Sequence, residues 1–198
     1  MAQSVDNKVL SRIYGKKRGW VFTPIHFLDL GSRTAIDQAL GRLAKAGTIR
    51  RLARGLYDYP ENHPDFGDLP PNYERIAQSL AGRDNLKIQP SGAYAANLLG
   101  LTEQVPAKIV FLTDGPNRKV QIDKRKIILK RTTPKNMATA GRISGLVIQA
   151  LRYLKQYYVD STVIEKLENR LTEKDKKQLM KDIRYAPTWI CDIFRQIQ

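Results

Sequence analysis

Apolar positions between residues 32 and 46 recur at helical spacing and leave the opposite face polar. Such spacing predicts an amphipathic helix with one buried side. Ser32 is a favourable N-cap residue, and Gly47 is a favourable residue to end the helix. The positions expected to face the core are Ile36, Ala39, Leu40 and Leu43.

A second pattern, in which apolar and polar residues alternate, follows this helix. Residues 48–52 and 56–59 are predicted to be two strands joined by a turn around Arg54. Upstream, residues 5–14 predict a short amphipathic helix, and Pro24 is a typical first residue for another helix. Three helices and a hairpin within about 60 residues are typical of a winged helix-turn-helix domain.

The segment 62–72 is rich in proline, aspartate and glycine, which predicts a linker between two domains. We therefore expect a winged-helix domain at residues 1–61 and a larger C-terminal α+β domain at residues 73–198. Apolar runs between residues 108 and 131 predict strands, and their connections are too short for helical crossovers, so the small sheet should be mostly antiparallel. The pattern is helical from residue 139 onward, and the predicted fold class is α+β.

The net charge of the chain indicates which class of partner it binds. The chain has 34 Lys and Arg against 19 Asp and Glu, a net charge of +15, which favours polyanions such as DNA, RNA or an anionic membrane surface. The sequence contains no long apolar span and no signal-peptide core, so we expect a cytoplasmic protein without a membrane partner. The single cysteine, Cys191, fits a reducing compartment.

The polar face of the predicted 32–46 helix is basic, and a helix of this kind fits the major groove of duplex DNA. Thr34, Gln38 and Arg42 are expected to contact base edges, while lysines would neutralise phosphates. The residues predicted to bind DNA from this helix are Ser32, Arg33, Thr34, Gln38, Arg42 and Lys45. The basic run before it adds Lys16, Lys17 and Arg18, and the turn of the hairpin adds Arg54.

A second basic surface is predicted in the larger domain. Residues 118–135 contain eight basic residues and one acidic residue. This segment is either a solvated edge that prevents sheets from pairing, or a second surface that contacts phosphates. Its predicted contacts are Arg118, Lys119, Lys124, Arg125, Lys126, Lys130 and Arg131. If the protein bound RNA, this hairpin would be its main surface, although it lacks the aromatic residues that usually stack on RNA bases.

Catalytic and metal-binding patterns are absent from the sequence. The two histidines and the single cysteine have no zinc-ligand spacing, and no glycine-rich phosphate loop precedes a Lys-Ser or Lys-Thr pair. We therefore expect no cofactor and no enzymatic activity. The remaining enzymatic alternative places a site in the larger domain, near Ser91, Tyr94 and Thr113.

Four segments resemble one known family. They read AIDQALGRLAKAGTIRRLARGLYDYP, PSGAYAANLLGLTEQVPAKIVFLTDGPNRKVQI, GRISGLVIQALRYL and APTWI. Together they resemble the AbiEi-like antitoxins, which are winged-helix regulators of bacterial AbiE toxin–antitoxin systems. The resemblance extends over most of the chain, and its second segment is the most particular.

The resemblance implies a function for each domain. The N-terminal domain would bind inverted repeats in its own promoter and repress the operon. The C-terminal domain would assist DNA binding and help to neutralise a nucleotidyltransferase-like toxin, by direct contact or indirectly. The resemblance also implies that Arg33, Thr34, Gln38 and Arg42 face the groove. It assigns the wing contacts to Arg50, Arg51 and Arg54.

Overall fold

The computed structural model describes residues 4–82 and 86–197, and the chain divides into two compact units. The first unit is Met1–Ser79 and the second is Leu80–Gln198. Residues 1–3, 83–85 and 198 of the predicted domains lie outside the described residues. Both units combine helices with strands, which confirms the α+β class.

The first unit contains a small antiparallel sheet in the strand order β1-β3-β2, together with two main helices. Its elements in chain order are α1 (Val5–Gly15), β1 (Val21–Phe22), a 3-10 helix (Pro24–Phe27), α2 (Arg33–Lys45), β2 (Arg50–Ala53), β3 (Leu56–Asp58), β4 (Asn62–His63), β5 (Gly67–Asp68) and most of α3 (Tyr73–Ala81).

Local signals set the ends and the buried face of α2 as the sequence predicts. The Ser32 hydroxyl accepts a hydrogen bond from the backbone N–H of Ala35 at 3.3 Å, which confirms the N-cap. Ile36, Ala39 and Leu40 are fully buried, as the helical spacing predicts. These side chains share a core with the aromatic rings of Phe22 and Phe27 and with residues of α1.

The second predicted helix of this unit is only a single 3-10 turn. Thr23 and His26 form a reciprocal capping pair around Pro24, and Phe27 then anchors the turn in the core. Leu28, directly after the turn, is 42% exposed. Five residues then connect the turn to α2.

The predicted linker, residues 62–72, contains the strand pair β4-β5 and belongs to the first unit. The N–H of Leu69 donates to the carbonyl of Glu61 at 2.7 Å, and Arg50 donates to the carbonyl of Leu69 at 3.0 Å. These bonds hold the segment to the hairpin of the first unit. The observed boundary therefore lies at residue 79 instead of within residues 62–72.

The second unit is built on a four-stranded sheet followed by a helical half. Its elements are β6 (Ile88–Ser91), α4 (Gly92–Leu98), β7 (Lys108–Thr113), β8 (Arg118–Ile122), β9 (Arg125–Arg131), α5 (Pro134–Met137), α6 (Ile143–Leu154), a 3-10 helix (Gln156–Tyr158), α7 (Ser161–Arg170), α8 (Glu173–Lys181), a 3-10 helix (Ile183–Tyr185) and α9 (Thr188–Gln196). The helical pattern predicted from residue 139 onward is confirmed, and its first long helix is α6.

The sheet order is β6-β7-β9-β8, and two of its three pairings are antiparallel, as the sequence predicts. The central pairing of β7 with β9 is parallel, contrary to the argument from short connections. No helical crossover is needed because β8 itself connects the two parallel strands. β8 lies at the outer edge of the sheet, and β9 lies between β7 and β8. Burial of Ile127 and Leu129 on β9 favours this central position.

The helical half packs α4, α6, α7, α8 and α9 around one apolar core. Asp182, just after α8, is buried beside it and accepts hydrogen bonds from Arg142, Ser144 and Gln178. In the part of the chain that the structure describes, no helix is both long enough and apolar enough to span a membrane.

Candidate nucleic-acid interface

Helix α2 presents its polar face to solvent. All six residues predicted to bind DNA from this helix are exposed. Thr34, Gln38 and Arg42 are spaced four residues apart, so they form one row along the helix. Lys45 extends this surface at the C-terminal end and has no ion pair with any described residue.

The Arg42 guanidinium is held by a carboxylate from another helix. Its Nε donates to Asp6 Oδ2 at 2.7 Å, and its Nη2 donates to Asp6 Oδ1 at 2.6 Å. The hydrogen bond from Arg42 keeps the pKa of Asp6 below 3.8. A guanidinium has five N–H donors, so three remain, including both on Nη1. Asp6 therefore orients Arg42 and leaves its outer edge open.

Arg33 forms a comparable pair within α2. Its Nε contacts both carboxylate oxygens of Asp37, at 3.0 and 2.9 Å, and both side chains are about half exposed. The pair spans one helical turn, and such exposed pairs contribute only about 0.3–0.5 kcal/mol. The two terminal nitrogens of Arg33 are thus not needed to hold the pair.

The hairpin of β2 and β3 contains two different kinds of arginine. Arg51 and Arg54 are exposed, with Arg54 in the turn beside Gly55, whose φ of 71° suits glycine. Arg50 instead donates twice to Asp58, at 3.1 and 2.6 Å, and once to the carbonyl of Leu69. Arg51 and Arg54 are free to act as wing contacts, whereas Arg50 stabilises the hairpin.

The three basic residues after α1 differ in whether their side chains already have partners in the fold. Lys16 and Lys17 are exposed and have no ion pair among the described residues. Arg18 donates to the carbonyl of Pro60 at 2.9 Å, and its guanidinium lies 4.8 Å from the ring centre of Tyr59. Two of the three predicted phosphate contacts therefore have freely available charge.

Burial raises the pKa of the Asp58 carboxyl above 3.8, although Arg50 opposes this shift. The folded protein consequently binds this proton more tightly than the unfolded chain. The stabilisation is fully present below about pH 3.8 and is lost as the pH rises through the folded-state pKa. We expect the free energy of unfolding of Asp58→Asn, relative to the original protein, to increase with pH across this window.

Urea denaturation of both proteins at a series of pH values, followed by tryptophan fluorescence, measures this difference. The ion pair with Arg50 forms only when Asp58 is ionised, so its effect on the trend is already contained in the folded-state pKa of Asp58. If the difference decreased with rising pH, the pKa of Asp58 would be lowered in the fold and the assignment would be wrong.

The predicted second basic surface follows the β8 edge of the sheet in the second unit, and the register places Lys119, Lys126 and Lys130 on one face and Arg118, Arg125 and Arg131 on the other. Lys119, Lys124, Lys130 and Arg131 are exposed, Arg125 and Lys126 are half-buried, and Arg118 donates to the carbonyl of Leu80. Lys108, absent from the predicted set, lies directly opposite Lys126 on the neighbouring strand. Like charges at directly opposed positions are unfavourable, which is consistent with a surface that receives an anion.

The residues of the enzymatic alternative have partners in the fold. Ser91 Oγ donates to Gln149 Oε1 at 3.1 Å, and Thr113 Oγ1 accepts from the N–H of Gly115 at 3.1 Å. Tyr94 is buried, with its ring edge toward Phe111 at 5.5 Å. Within residues 4–82 and 86–197, no three His, Cys, Asp or Glu side chains are grouped as metal ligands.

Two residues of the candidate interface were not predicted from the sequence. Asp6 lies 36 positions before Arg42, and only the packing of α1 against α2 brings them together. Lys108 becomes part of a basic face only through the parallel register with β9. An acidic residue in the first turn of a helix is common, so the sequence does draw attention to Asp6. This pattern does not identify Arg42 as its partner.

Comparison with known proteins identifies the family of the chain. A model of DUF6088, a family of unknown function, matches residues 8–179. A search of curated proteins gives no match. Among solved structures, the chain is similar to the crystal structure of the RV2827C protein from Mycobacterium tuberculosis. The identity is 16% and the TM-score is 0.48, with coverage of 100% of this chain and 77% of that chain.

Proposed function

The chain belongs to the family of unknown function DUF6088, and we propose that this member is a sequence-specific DNA-binding transcriptional repressor. In this proposal the first unit is a winged-helix domain. Helix α2 enters the major groove, and the β2-β3 hairpin is the wing. The observation that carries the proposal is the exposed row of Thr34, Gln38 and Arg42, in which Asp6 orients the arginine.

The chemistry of this row suits base recognition. Arginine with two outward N–H groups matches the O6 and N7 acceptors of guanine, and glutamine can pair in the same manner with adenine. A fixed guanidinium loses less conformational freedom on binding than a mobile one. Cations around the row, including Lys45 and Arg54, would bind the phosphates on either side.

The biological setting follows from the family resemblance and from the charge of both units. We propose a cytoplasmic antitoxin of the AbiE type, which represses its own operon at an inverted repeat and opposes a nucleotidyltransferase-like toxin. The basic face around Lys108 and Lys126 would extend the contact with phosphates. Co-purification of the product of an adjacent toxin gene with this chain tests the direct form of neutralisation.

Two alanine variants on α2 test the DNA-binding function. Duplexes selected from a random library by the original protein serve as the specific site, and a scrambled duplex is the reference. Arg42→Ala is expected to reduce discrimination between the two by about 1–3 kcal/mol, because it removes a base contact. Lys45→Ala is expected to weaken binding to both duplexes alike, because it removes a phosphate contact.

Gel-shift titrations with each variant and each duplex measure these effects, and structured RNA serves as a competitor. An equal loss of discrimination in both variants would contradict the assignment of Arg42. Stronger competition by RNA than by scrambled duplex would favour an RNA-binding protein instead.

A further inference from the structure

A cavity of ≈ 490 Å³ lies within the first unit and is lined mainly by cationic and polar side chains. Helix α3 contributes Gln78 and Ser79 to its wall, and the segment after α1 contributes Lys16 and Lys17. Trp20 provides an aromatic part of the wall. We call it the Ser79 cavity. Its size is within the range of sites that bind small molecules.

The hydroxyl of Ser79 has no hydrogen-bond partner among the described residues, although the residue is only 7% exposed. Buried hydroxyls in folded proteins nearly always have a partner, because an unpaired one retains the cost of leaving water. Because Ser79 is also one of the residues that line the cavity, we infer that rotation of its side chain presents this unpartnered hydroxyl to a ligand atom that accepts or donates a hydrogen bond.

The charged side chains around the cavity indicate whether its ligand is an anion or a cation. Lys16 and Lys17 have no ion pair among the described residues. Arg18 and Arg75 also line the cavity, and Arg75 uses one nitrogen to pair with Glu61 at 2.8 Å. None of the described lining residues is a carboxylate. A wall of this composition attracts an anion.

We propose that the Ser79 cavity binds a phosphoryl group. A phosphoryl group has several acceptor oxygens and up to two negative charges, and serine hydroxyls and lysine ammonium groups are common donors to it. The group is carried by a free phosphorylated molecule of nucleotide size or by the backbone of a nucleic acid. The proposal does not depend on DNA binding by α2, because a free ligand satisfies it.

The test uses the full chain with Trp189→Phe, which leaves Trp20 as the one tryptophan. Its fluorescence is titrated at constant ionic strength with inorganic phosphate, with adenosine monophosphate and with adenosine as the uncharged control. We expect saturable changes with the two phosphates and none with adenosine.

Ser79→Ala and the double variant Lys16→Gln/Lys17→Gln should each weaken binding about tenfold or more, since both remove charge-assisted contacts. Lys174→Gln, an exposed lysine of the second unit, should leave it unchanged.

Thermal unfolding separates a ligand-binding hydroxyl from a structural one. Ser79→Ala removes an unpaired buried hydroxyl and adds a better helix former, so its melting temperature should equal or exceed that of the original protein. A clear decrease would indicate a structural role and would overturn the proposal.

A titration with duplex DNA identifies the carrier of the phosphoryl group. If only the duplex changes Trp20 fluorescence, and Ser79→Ala weakens that response, the carrier is the DNA backbone. If neither free phosphates nor duplex give a response that depends on Ser79, the proposal is wrong. Discrimination between specific and scrambled duplex that is reduced in Arg42→Ala but unchanged in Ser79→Ala would leave the proposed function intact, so the two failures are distinguishable.

Discussion

The affinity of the protein for duplex DNA is expected to fall roughly 500-fold between 50 and 200 mM salt. Five of the predicted cationic contacts in the first unit have side chains with neither an ion pair nor a hydrogen bond to described residues: Lys16, Lys17, Lys45, Arg51 and Arg54. Each phosphate that such a group neutralises releases counterions, and the slope of log affinity against log salt is about −0.9 per contact. The five contacts of the first unit therefore predict a slope of about −4.5, and phosphate contacts of the basic face in the second unit would make the slope steeper.

Fluorescence anisotropy with a labelled duplex at several salt concentrations measures this slope. The variant Arg51→Gln/Arg54→Gln should reduce its magnitude by about 1.8, because two phosphate contacts are removed. Lys174→Gln is the matched control, because it removes one positive charge from a residue of the second unit that is not a predicted DNA contact. Binding that does not respond to salt would contradict the interpretation of these side chains as phosphate contacts.

Replacement of Asp182 by alanine is expected to lower the free energy of unfolding of the second unit by about 3–5 kcal/mol. The carboxylate is 3% exposed and accepts hydrogen bonds from Arg142, Ser144 and Gln178. Its removal leaves the fully buried Ser144 hydroxyl without this acceptor and the Arg142 charge without its counterion. The loss should lie toward the lower limit, since Arg142 is 41% exposed and can regain water.

Asp182→Asn should cost less, because an amide oxygen still accepts one or two of these bonds. Asp192→Ala is a matched control: it removes an exposed ion pair with Arg195 and should change stability by less than about 1 kcal/mol. Urea denaturation followed by far-ultraviolet circular dichroism provides the comparison. Equal stability of the two alanine variants would show that Asp182 does not stabilise the helical half as we infer.

Predictions from the sequence succeed where the cause is local. The spacing of Ile36, Ala39 and Leu40 and the cap at Ser32 depend on residues within one or two helical turns, so the buried face and the start of α2 follow directly. The exposure of the opposite face follows from the same periodicity.

Predictions fail where distant partners decide the outcome. Arg50 looks like any other wing arginine until the register places it opposite the buried Asp58. The segment 62–72 has the composition of a linker, yet its backbone bonds attach it to the first unit. The position of β9 between β7 and β8 is likewise a property of the assembled sheet, and no local pattern distinguishes it from a simple meander.

That position has a consequence for biosynthesis. When β8 has left the ribosome, neither β7 nor β8 can complete its final hydrogen bonding, because the strand that separates them is still to be made. The sheet closes only after residue 131 has emerged, and until then β7 exposes an open strand edge. A nascent chain stalled before this point would therefore present the unpaired edge of β7 to other chains.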